Sequence, residues 1–286
     1  MKRNFNQFII GLLSFWGFSS GNAEENSSLP VKKWLNVSFV SHSTGELALD
    51  IFRSSDSKKR PAVLCLHGGF WAKGSKKFMH PLAEDLVGKG YIAVCSNYRL
   101  TDVAPAPAQL HDVFSAIHFL RENASDYGID SGKVGVTGSS AGGYLAVMAA
   151  VFDSGNKIAR PNAAIGMGAQ TDLTSPHIQN STAPNWSKFM SGLYKEVPQN
   201  YLKQSPIAHL TQDDPPIAII CGEYDKPSTR ANAFRQKALR LGVPTTLTEI
   251  PGAPHGLLKA AEHRKIAVEA IDNFLKVHLG KISTEK

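Results

Sequence analysis

Short apolar segments, separated by stretches of helical periodicity, are the feature of this chain that most restricts its fold. Most of these segments are apolar throughout, which is typical of strands covered on both faces of a parallel sheet. They are residues 62–66, 91–96, 134–137, 163–168, 217–221 and 245–250, preceded by strand-like stretches at 37–40 and 47–52. Alternating strands and helices predict an α/β fold with a doubly wound, mostly parallel sheet.

Two of the intervening stretches carry apolar residues at the spacing of one helix face. Leu110, Val113 and Ile117 belong to the first stripe, and the second lies within 266–275. No linker divides the chain, and its 286 residues suit one large core. We therefore predict a single α/β domain over residues 24–286.

The segment 173–210 interrupts this alternation, because it has no clear strand but many large apolar side chains. One interpretation is a set of connecting helices packed on the core. The other is a small helical cap over a cleft, with aromatic residues lining a substrate pocket. The candidate substrate-binding residues are Trp186 and Tyr194 of this segment and Trp71 from an upstream loop.

The first 23 residues have the pattern of a secretory signal peptide. Lys2 and Arg3 precede an apolar stretch, 8–18, and small residues including Ala23 follow it. The apolar stretch is shorter than the roughly 20 residues that a membrane-spanning helix needs. We therefore expect cleavage before Glu24, a secreted or periplasmic protein, and no stable membrane anchor after cleavage.

Charge and cysteine content exclude several other classes of protein. The formal net charge of +7 is spread along the chain without the long basic stripe that nucleic acid or a membrane surface requires. We therefore expect no nucleic-acid partner.

The predicted mature chain has three cysteines, Cys65, Cys95 and Cys221, each within an apolar segment. An odd number of cysteines does not form a disulfide framework. A Cys65–Cys95 disulfide is conceivable if their strands are neighbours.

The clearest chemical motif is Gly138-Ser139-Ser140-Ala141-Gly142. It follows a predicted strand and precedes a helix-like run, which is the context of a nucleophilic serine on a sharp strand-to-helix turn. The glycines remove side chains that would clash, and the helix N-terminus favours developing negative charge. Ser140 is therefore the predicted nucleophile.

A nucleophilic serine needs a base and an acid that orients the base, in the chain order serine, acid, histidine. Asp225 and His255 follow two successive predicted strands, at the sheet edge where ligands gather. Glu223 is the alternative acid, and Asp213 or Asp214 suit loop caps better. The alternative bases, His209 and His263, do not follow a strand.

The loop at 67–71 directly follows the strand 62–66 and supplies a candidate oxyanion hole. Backbone N–H groups of Gly69 and Phe70, completed by that of Ala141, could stabilise the charge on a tetrahedral intermediate. Gly68 would permit the bend. For His67 we expect a structural hydrogen bond, since no metal-ligand partner stands at a suitable spacing.

Seven short motifs occur along the chain in a characteristic order. They are His67–Trp71, Asn97–Leu100, Pro105–Ala108, Gly138–Gly142, Ser205–Pro206, Asp214–Pro216 and Pro254–Gly256. With these motifs the sequence resembles bacterial carboxylesterases of the α/β-hydrolase superfamily that are related to hormone-sensitive lipase and to feruloyl and acetyl-xylan esterase-like hydrolases. The resemblance extends over roughly residues 52–279.

This resemblance implies a Ser140, Asp225, His255 triad, no cofactor, no metal and a small-molecule ester substrate, such as a short-chain or plant-wall acyl ester. Phe70 stands where many relatives carry a third glycine, a variant similar to formamidase-like members. A formamidase, amidase or peptidase with the same triad is therefore the alternative activity. A catalytically inactive binding module is the alternative from another class, although all three triad positions are filled.

Overall fold

A computed structural model describes residues 30–226 and 230–280. The predicted signal peptide and the predicted cleavage position lie outside these residues. Within them, eight strands form one sheet in the order β1-β2-β4-β3-β5-β6-β7-β8. The strands are β1 Val31–His42, β2 Gly45–Ser54, β3 Arg60–Leu66, β4 Ile92–Ser96, β5 Ile129–Ser139, β6 Ala163–Met167, β7 Ile217–Gly222 and β8 Thr245–Ile250.

The sheet is mostly parallel, as predicted. β1 pairs with β2 and β2 with β4 in antiparallel fashion, and the pairs from β4 through β8 are all parallel. Each parallel connection passes over a face of the sheet, so the carboxyl ends of β3, β5, β6, β7 and β8 meet at one edge.

Helices cover both faces of the sheet. The longer ones are α1 His80–Gly88, α2 Ala108–Glu122, α4 Ala141–Val151, α9 Asn232–Arg240 and α10 Ala261–His278; α3 is the single turn Ala124–Tyr127. Short 3₁₀ turns occupy Lys76–Met79, Lys157–Ala159 and Glu223–Asp225.

Two apolar cores result from the side-chain alternation of the strands. In β3, Ala62, Leu64 and Leu66 point to the core shared with α2 and α4, whereas Val63 and Cys65 point to the core shared with α1 and α10. Successive side chains of a strand face opposite sides, so an unbroken apolar segment fills both cores. This confirms the predicted burial of the strands on both faces.

The segment 173–210 contains no strand and folds into short helices. These are α5 Pro176–Gln179, α6 Pro184–Met190, α7 Pro198–Lys203 and α8 Pro206–His209. Each has proline in its first turn, where the missing N–H leaves no hydrogen bond unmade and φ is already helical. Phe189, Met190 and Tyr201 are buried in the core on the α4 side. The segment therefore packs on the core as connecting helices.

In the described part of the chain, no helix combines the length and apolar character needed to cross a membrane.

Candidate active site

Ser140 alone connects strand β5 to helix α4. β5 ends at Ser139 and α4 begins at Ala141. The backbone of Ser140 has φ 55° and ψ −114°, a sparsely populated conformation that costs about 1–3 kcal/mol for a residue with a side chain. Its N–H donates to the carbonyl of Met167 in β6 at 2.7 Å. The turn holds the hydroxyl at the N-terminus of α4, where the helix dipole favours negative charge.

The glycines beside Ser140 are required because backbone segments touch there. A Cβ on Gly138 would lie 2.4 Å from the carbonyl of Gly142, and one on Gly142 would lie 2.2 Å from the carbonyl oxygen of Leu66. A Cβ on Gly68 would lie 3.2 Å from that of Ser140. The motif therefore allows β3, its following loop and α4 to approach the serine closely.

The structure brings together the three predicted triad residues. His255 Nε2 lies 2.8 Å from Ser140 Oγ, and His255 Nδ1 lies 2.8 Å from Asp225 Oδ2. An ionised carboxylate only accepts hydrogen bonds, so Nδ1 carries the proton and Nε2 is left to accept from the serine hydroxyl. Asp225 is buried, and the imidazole of His255 is partly exposed. This arrangement can remove the hydroxyl proton as the oxygen attacks a carbonyl.

The residues that the sequence offers as alternative acid or base do not take part in the hydrogen-bonded chain to Ser140. Glu223 is exposed, and its carboxylate accepts from the Gly252 N–H at 2.8 Å. His209 Nε2 donates to the carbonyl of Lys203 at 2.8 Å. His263 lies in the first turn of α10. Asp214 pairs with Arg160 and accepts from the Thr211 N–H, as a loop cap does.

The loop 67–73 lies directly against the Ser140 turn. Gly69 has φ 128°, and Phe70 and Trp71 have φ 57° and 56°. The N–H groups of Ala72 and Lys73 both donate to the Gly69 carbonyl, which turns that carbonyl into the loop. Ala141 is the first residue of α4, and the first N–H groups of a helix have no acceptor within the helix. The backbone donors of the predicted oxyanion hole thus belong to two neighbouring turns.

His67 has the structural role that the sequence predicts. Its Nδ1–H donates to the Gly68 carbonyl at 2.9 Å, and its ring stacks on Tyr98 with centroids 4.3 Å apart. Burial lowers the pKa of His67, opposed by the hydrogen bond to Gly68. In turn, the Tyr98 hydroxyl donates to the His67 carbonyl at 2.8 Å.

Ser140 and His255 line a cavity of about 210 Å³. Trp71 and Trp186 belong to its wall, as predicted, and their rings are 5.4 Å apart. Tyr194 does not belong to the wall, which corrects its prediction as a substrate-binding residue. Its ring instead packs on that of Tyr201, with the ring centroids 5.3 Å apart. The other lining residues are Phe70, Ala141, Tyr144, Gly168, Gln170, His177, Ser181, Ala183 and Arg230.

Two residues of the site have no counterpart in the sequence prediction. Gly168, just after β6, has φ 59°, and a Cβ there would lie 2.9 Å from Asp225 Oδ2. The sequence could have indicated this position, because Gly168 is a glycine at the carboxyl end of a predicted strand, where site residues gather. Arg230 lies 2.8 Å from Asp225 Oδ1 through its Nε. An arginine five positions after an aspartate forms no recognisable motif, so only the fold could identify it.

The cysteines are buried thiols outside this site. Cys65 and Cys95 lie opposite each other in the parallel pair β3–β4, yet both are free, as is Cys221. Burial raises the pKa of Cys221 to about 12. Burial and the neighbouring Cys65 raise the pKa of Cys95. Thiols of this kind are poor nucleophiles, because the thiolate is the reactive form.

Within 30–226 and 230–280, no group of three or more His, Cys, Asp or Glu side chains could hold a metal ion.

Comparison with known proteins places this geometry in a family. The BD-FAE family model matches residues 49–237. Esterase LipQ of Mycobacterium tuberculosis (strain ATCC 25618 / H37Rv) is 31% identical over 82% of this chain and 60% of its own length. The probable carboxylic ester hydrolase LipM of the same strain is 30% identical over 77% and 56%. The chain thus spans about 60% or less of the length of these relatives.

Solved structures share the fold. A truncated carbohydrate esterase from gut microbiota has a TM-score of 0.75 at 24% identity, covering 88% of this chain and 98% of its own. Butyrate-bound esterase Est2 of Thermogutta terrifontis has a TM-score of 0.71 at 22% identity, covering 92% and 98%. With the eight-stranded sheet and the serine turn between β5 and α4, these matches assign the α/β-hydrolase fold. The chain belongs to the BD-FAE family.

Proposed function

We propose that this protein is a serine carboxylesterase that hydrolyses short-chain or plant-wall acyl esters. The observation that carries the proposal is the hydrogen-bonded chain from Ser140 through His255 to Asp225, with both contacts at 2.8 Å, opening into a cavity. The relatives named as esterases support a carboxylic ester as the substrate. The likeness to a carbohydrate esterase supports an acylated sugar as one source of the ester.

The first half of the reaction forms an acyl-enzyme. Ser140 Oγ attacks the carbonyl carbon while its proton passes to His255 Nε2, and Asp225 stabilises the resulting imidazolium. The tetrahedral intermediate collapses when the imidazolium protonates the leaving alkoxide. The alcohol departs, and the acyl group remains on Oγ.

The second half hydrolyses the acyl-enzyme. His255 Nε2 accepts a proton from a water molecule, whose oxygen attacks the acyl carbon. Collapse of the second intermediate returns the proton to Ser140 Oγ and releases the carboxylic acid. Backbone N–H groups of Gly69, Phe70 and Ala141 would bind the oxyanion in both halves. Losing one such donor typically reduces turnover by about 10²–10³.

The cavity favours small acyl groups. Its volume of about 210 Å³ is below the ~300–1,000 Å³ of most small-molecule pockets. Rings of Phe70, Trp71 and Trp186 contact one another at its wall. These aromatic side chains offer an apolar surface to an acyl chain and limit its length.

We also propose that the enzyme acts outside the cytoplasm, in the periplasm or medium, after removal of residues 1–23. The support is the basic, apolar and small-residue order of the N-terminal sequence. The full chain should be expressed in a bacterium and the exported fraction analysed by mass spectrometry. A mature N-terminus at Glu24 is expected, and an uncleaved cytoplasmic product would contradict the proposal.

The esterase proposal is tested with Ser140→Ala. Hydrolysis of p-nitrophenyl acetate by the purified protein should fall by at least about 10⁴-fold, because the nucleophile is lost while the fold remains. Ser139→Ala is the matched control, since it alters the neighbouring serine of the same turn. Unchanged turnover in Ser140→Ala would exclude Ser140 as the nucleophile.

A substrate panel then separates the candidate activities. Acetyl, butyryl, octanoyl and feruloyl esters should be compared with N-formyl and acetyl amides by kcat/KM. We expect acetyl or butyryl esters to rank first. A higher kcat/KM on the amides would indicate an amidase, and the absence of turnover on every substrate would indicate an inactive binding module.

A further inference from the structure

The buried carboxylate of Asp225 is held from two sides. Its Oδ2 accepts from His255 Nδ1 at 2.8 Å. Its Oδ1 lies 2.8 Å from Arg230 Nε. The Asp225 side chain is only 2% exposed, and a buried carboxylate is costly unless each oxygen is paired. Arg230 therefore supplies the partner that His255 cannot, since the imidazole contacts one oxygen only.

Arg230 also contacts the backbone around Asp225. Its Nε–H donates to the backbone carbonyl of Asp225 at 3.0 Å, and the same nitrogen forms the ion pair with the side-chain carboxylate. Its Nη1 lies 3.5 Å from the carbonyl of Gly168. The Arg230 carbonyl in turn accepts from the hydroxyl of Thr171, which is buried. The arginine thus ties the loop after β7 to the loop after β6.

Gly168 also lies close to the carboxylate. A Cβ there would lie 2.9 Å from Asp225 Oδ2 and 3.1 Å from His255 Nδ1. The Gly168 backbone and the guanidinium of Arg230 together restrict the position of the Asp225 side chain. Of these contacts, the pairing with Arg230 is the one that sets the rotation of the carboxylate plane, because it fixes Oδ1.

We infer that Arg230 is a positioning residue, which orients the Asp225 carboxylate so that Oδ2 meets His255 Nδ1. This inference rests on the proposed serine esterase function and adds to it a residue outside the triad. Without Arg230, the carboxylate can rotate or draw water to Oδ1, and the imidazole loses its fixed orientation toward Ser140. A misplacement of about 1 Å at a catalytic group can reduce turnover by about 100-fold.

The test uses three substitutions in the full chain. Arg230→Met keeps an unbranched side chain as far as the position of Nε but removes every donor, and Arg230→Lys keeps the positive charge and the donors of a single nitrogen. Arg240→Met, at the exposed end of α9, is the matched control. For p-nitrophenyl acetate we expect kcat to fall by about 10- to 100-fold in Arg230→Met with KM changed less than about threefold. Arg230→Lys should lie between Arg230→Met and wild type.

A double-mutant cycle with Asp225→Asn separates positioning from direct action on the substrate. Asp225→Asn should reduce kcat by about 10³–10⁴, because the imidazole loses its orienting acceptor. If Arg230 acts through Asp225, adding Arg230→Met to Asp225→Asn should reduce kcat by less than about twofold. An equal reduction in both backgrounds, or a change in KM alone, would overturn the inference.

A spectroscopic measurement makes the test independent of turnover. The His255 Nδ1–H that donates to Asp225 should give a strongly downfield proton NMR resonance in wild type and in Arg240→Met. We expect this resonance to be lost or broadened in Arg230→Met, with thermal unfolding confirming that the variant is folded. An unchanged resonance refutes the role of Arg230, whereas inactive wild-type protein with the resonance present refutes only the esterase proposal.

If Arg230→Met does not fold, the NMR and kinetic comparison is made with Arg230→Lys and Arg230→Gln. Active sites are counted with a serine-directed fluorophosphonate, so that kcat refers to folded enzyme. Wild-type kcat in both variants would also overturn the inference.

Discussion

Around Ser140 the backbones of three segments come into direct contact, and glycine is needed where they do. Gly138 faces Gly142 across the turn, while Gly142 faces the carbonyl of Leu66 at the end of β3. A side chain at either position would push apart backbone segments that contact each other beside Ser140. The catalytic proposal therefore depends on residues without side chains as much as on the triad.

This contact predicts opposite effects for two glycine substitutions in helices. Gly142→Ala should lower the free energy of unfolding by about 3 kcal/mol or more, because its Cβ would lie 2.2 Å from the Leu66 carbonyl oxygen. Gly88→Ala, at the end of α1, has no atom within 4 Å of the added Cβ. It should be neutral or stabilise by up to about 1 kcal/mol. Chemical denaturation measures the free energy of unfolding of both variants, and a Gly142→Ala protein as stable as wild type would contradict the close approach of Gly142 to Leu66.

Among the secondary-structure elements, helix α6 connects the helical segment 173–210 to the loop 67–73 by contacts between aromatic rings. Phe189 stacks on Trp71 with ring centroids 3.8 Å apart and planes within 2°. Trp186, one turn earlier, contacts Phe70 at 5.2 Å and lines the cavity. The segment is thus both a packed connection and a wall of the site, so the two interpretations of its sequence are each partly right.

Trp186 should control the length of the acyl group that the enzyme accepts. Replacing Trp186 by Leu removes bulk from the cavity wall, so the ratio of kcat/KM for butyrate over acetate esters should rise by about tenfold. Trp34→Leu is the matched control, since Trp34 packs on Tyr127 away from the cavity. Steady-state kinetics on p-nitrophenyl esters provide the ratio, and an unchanged ratio in Trp186→Leu refutes this role.

At the scale of the whole molecule, parallel strands gather the site from distant parts of the chain. The segments after β3, β5, β6, β7 and β8 contain the loop 67–73, Ser140, Gly168, Asp225 and His255 in that order. Folding of the entire sheet is therefore a condition for the site. A substitution that unfolds the sheet should therefore also take the site apart.

Global stability should fall as the pH falls below about 6.5. Burial lowers the pKa of His67 from its ordinary value of 6.5, and burial also lowers that of His278. Between the folded pKa and 6.5 the unfolded chain binds more protons than the folded one, so the free energy of unfolding decreases with falling pH.

His67→Asn should reduce this pH dependence, because asparagine can still donate to the Gly68 carbonyl but does not titrate. Urea denaturation of wild type and His67→Asn between pH 7.5 and 5, run in parallel, measures the two slopes. Equal slopes would show that protonation of His67 is not coupled to folding.

Short-range patterns in the sequence determined the strand and helix alternation and the Ser140 turn. A strand covered on both faces has to be apolar throughout, and a strand that turns directly into a helix needs glycines. Ser140, Asp225 and His255 each follow a predicted strand, in the chain order serine, acid, histidine, and this placement predicted that they meet. Parallel strands bring their carboxyl ends to one edge whatever their exact length.

Tertiary structure alone decided which side chains reach those positions. Arg230 pairs with Asp225, Trp186 lines the cavity and Tyr194 does not, and Cys65 lies opposite Cys95 without forming a disulfide. Each of these results depends on the path of a loop or on the rotation of a short helix. The path of a loop and the rotation of a short helix are determined by contacts between residues far apart in the chain. Neither hydrophobic periodicity nor a local motif predicts such contacts.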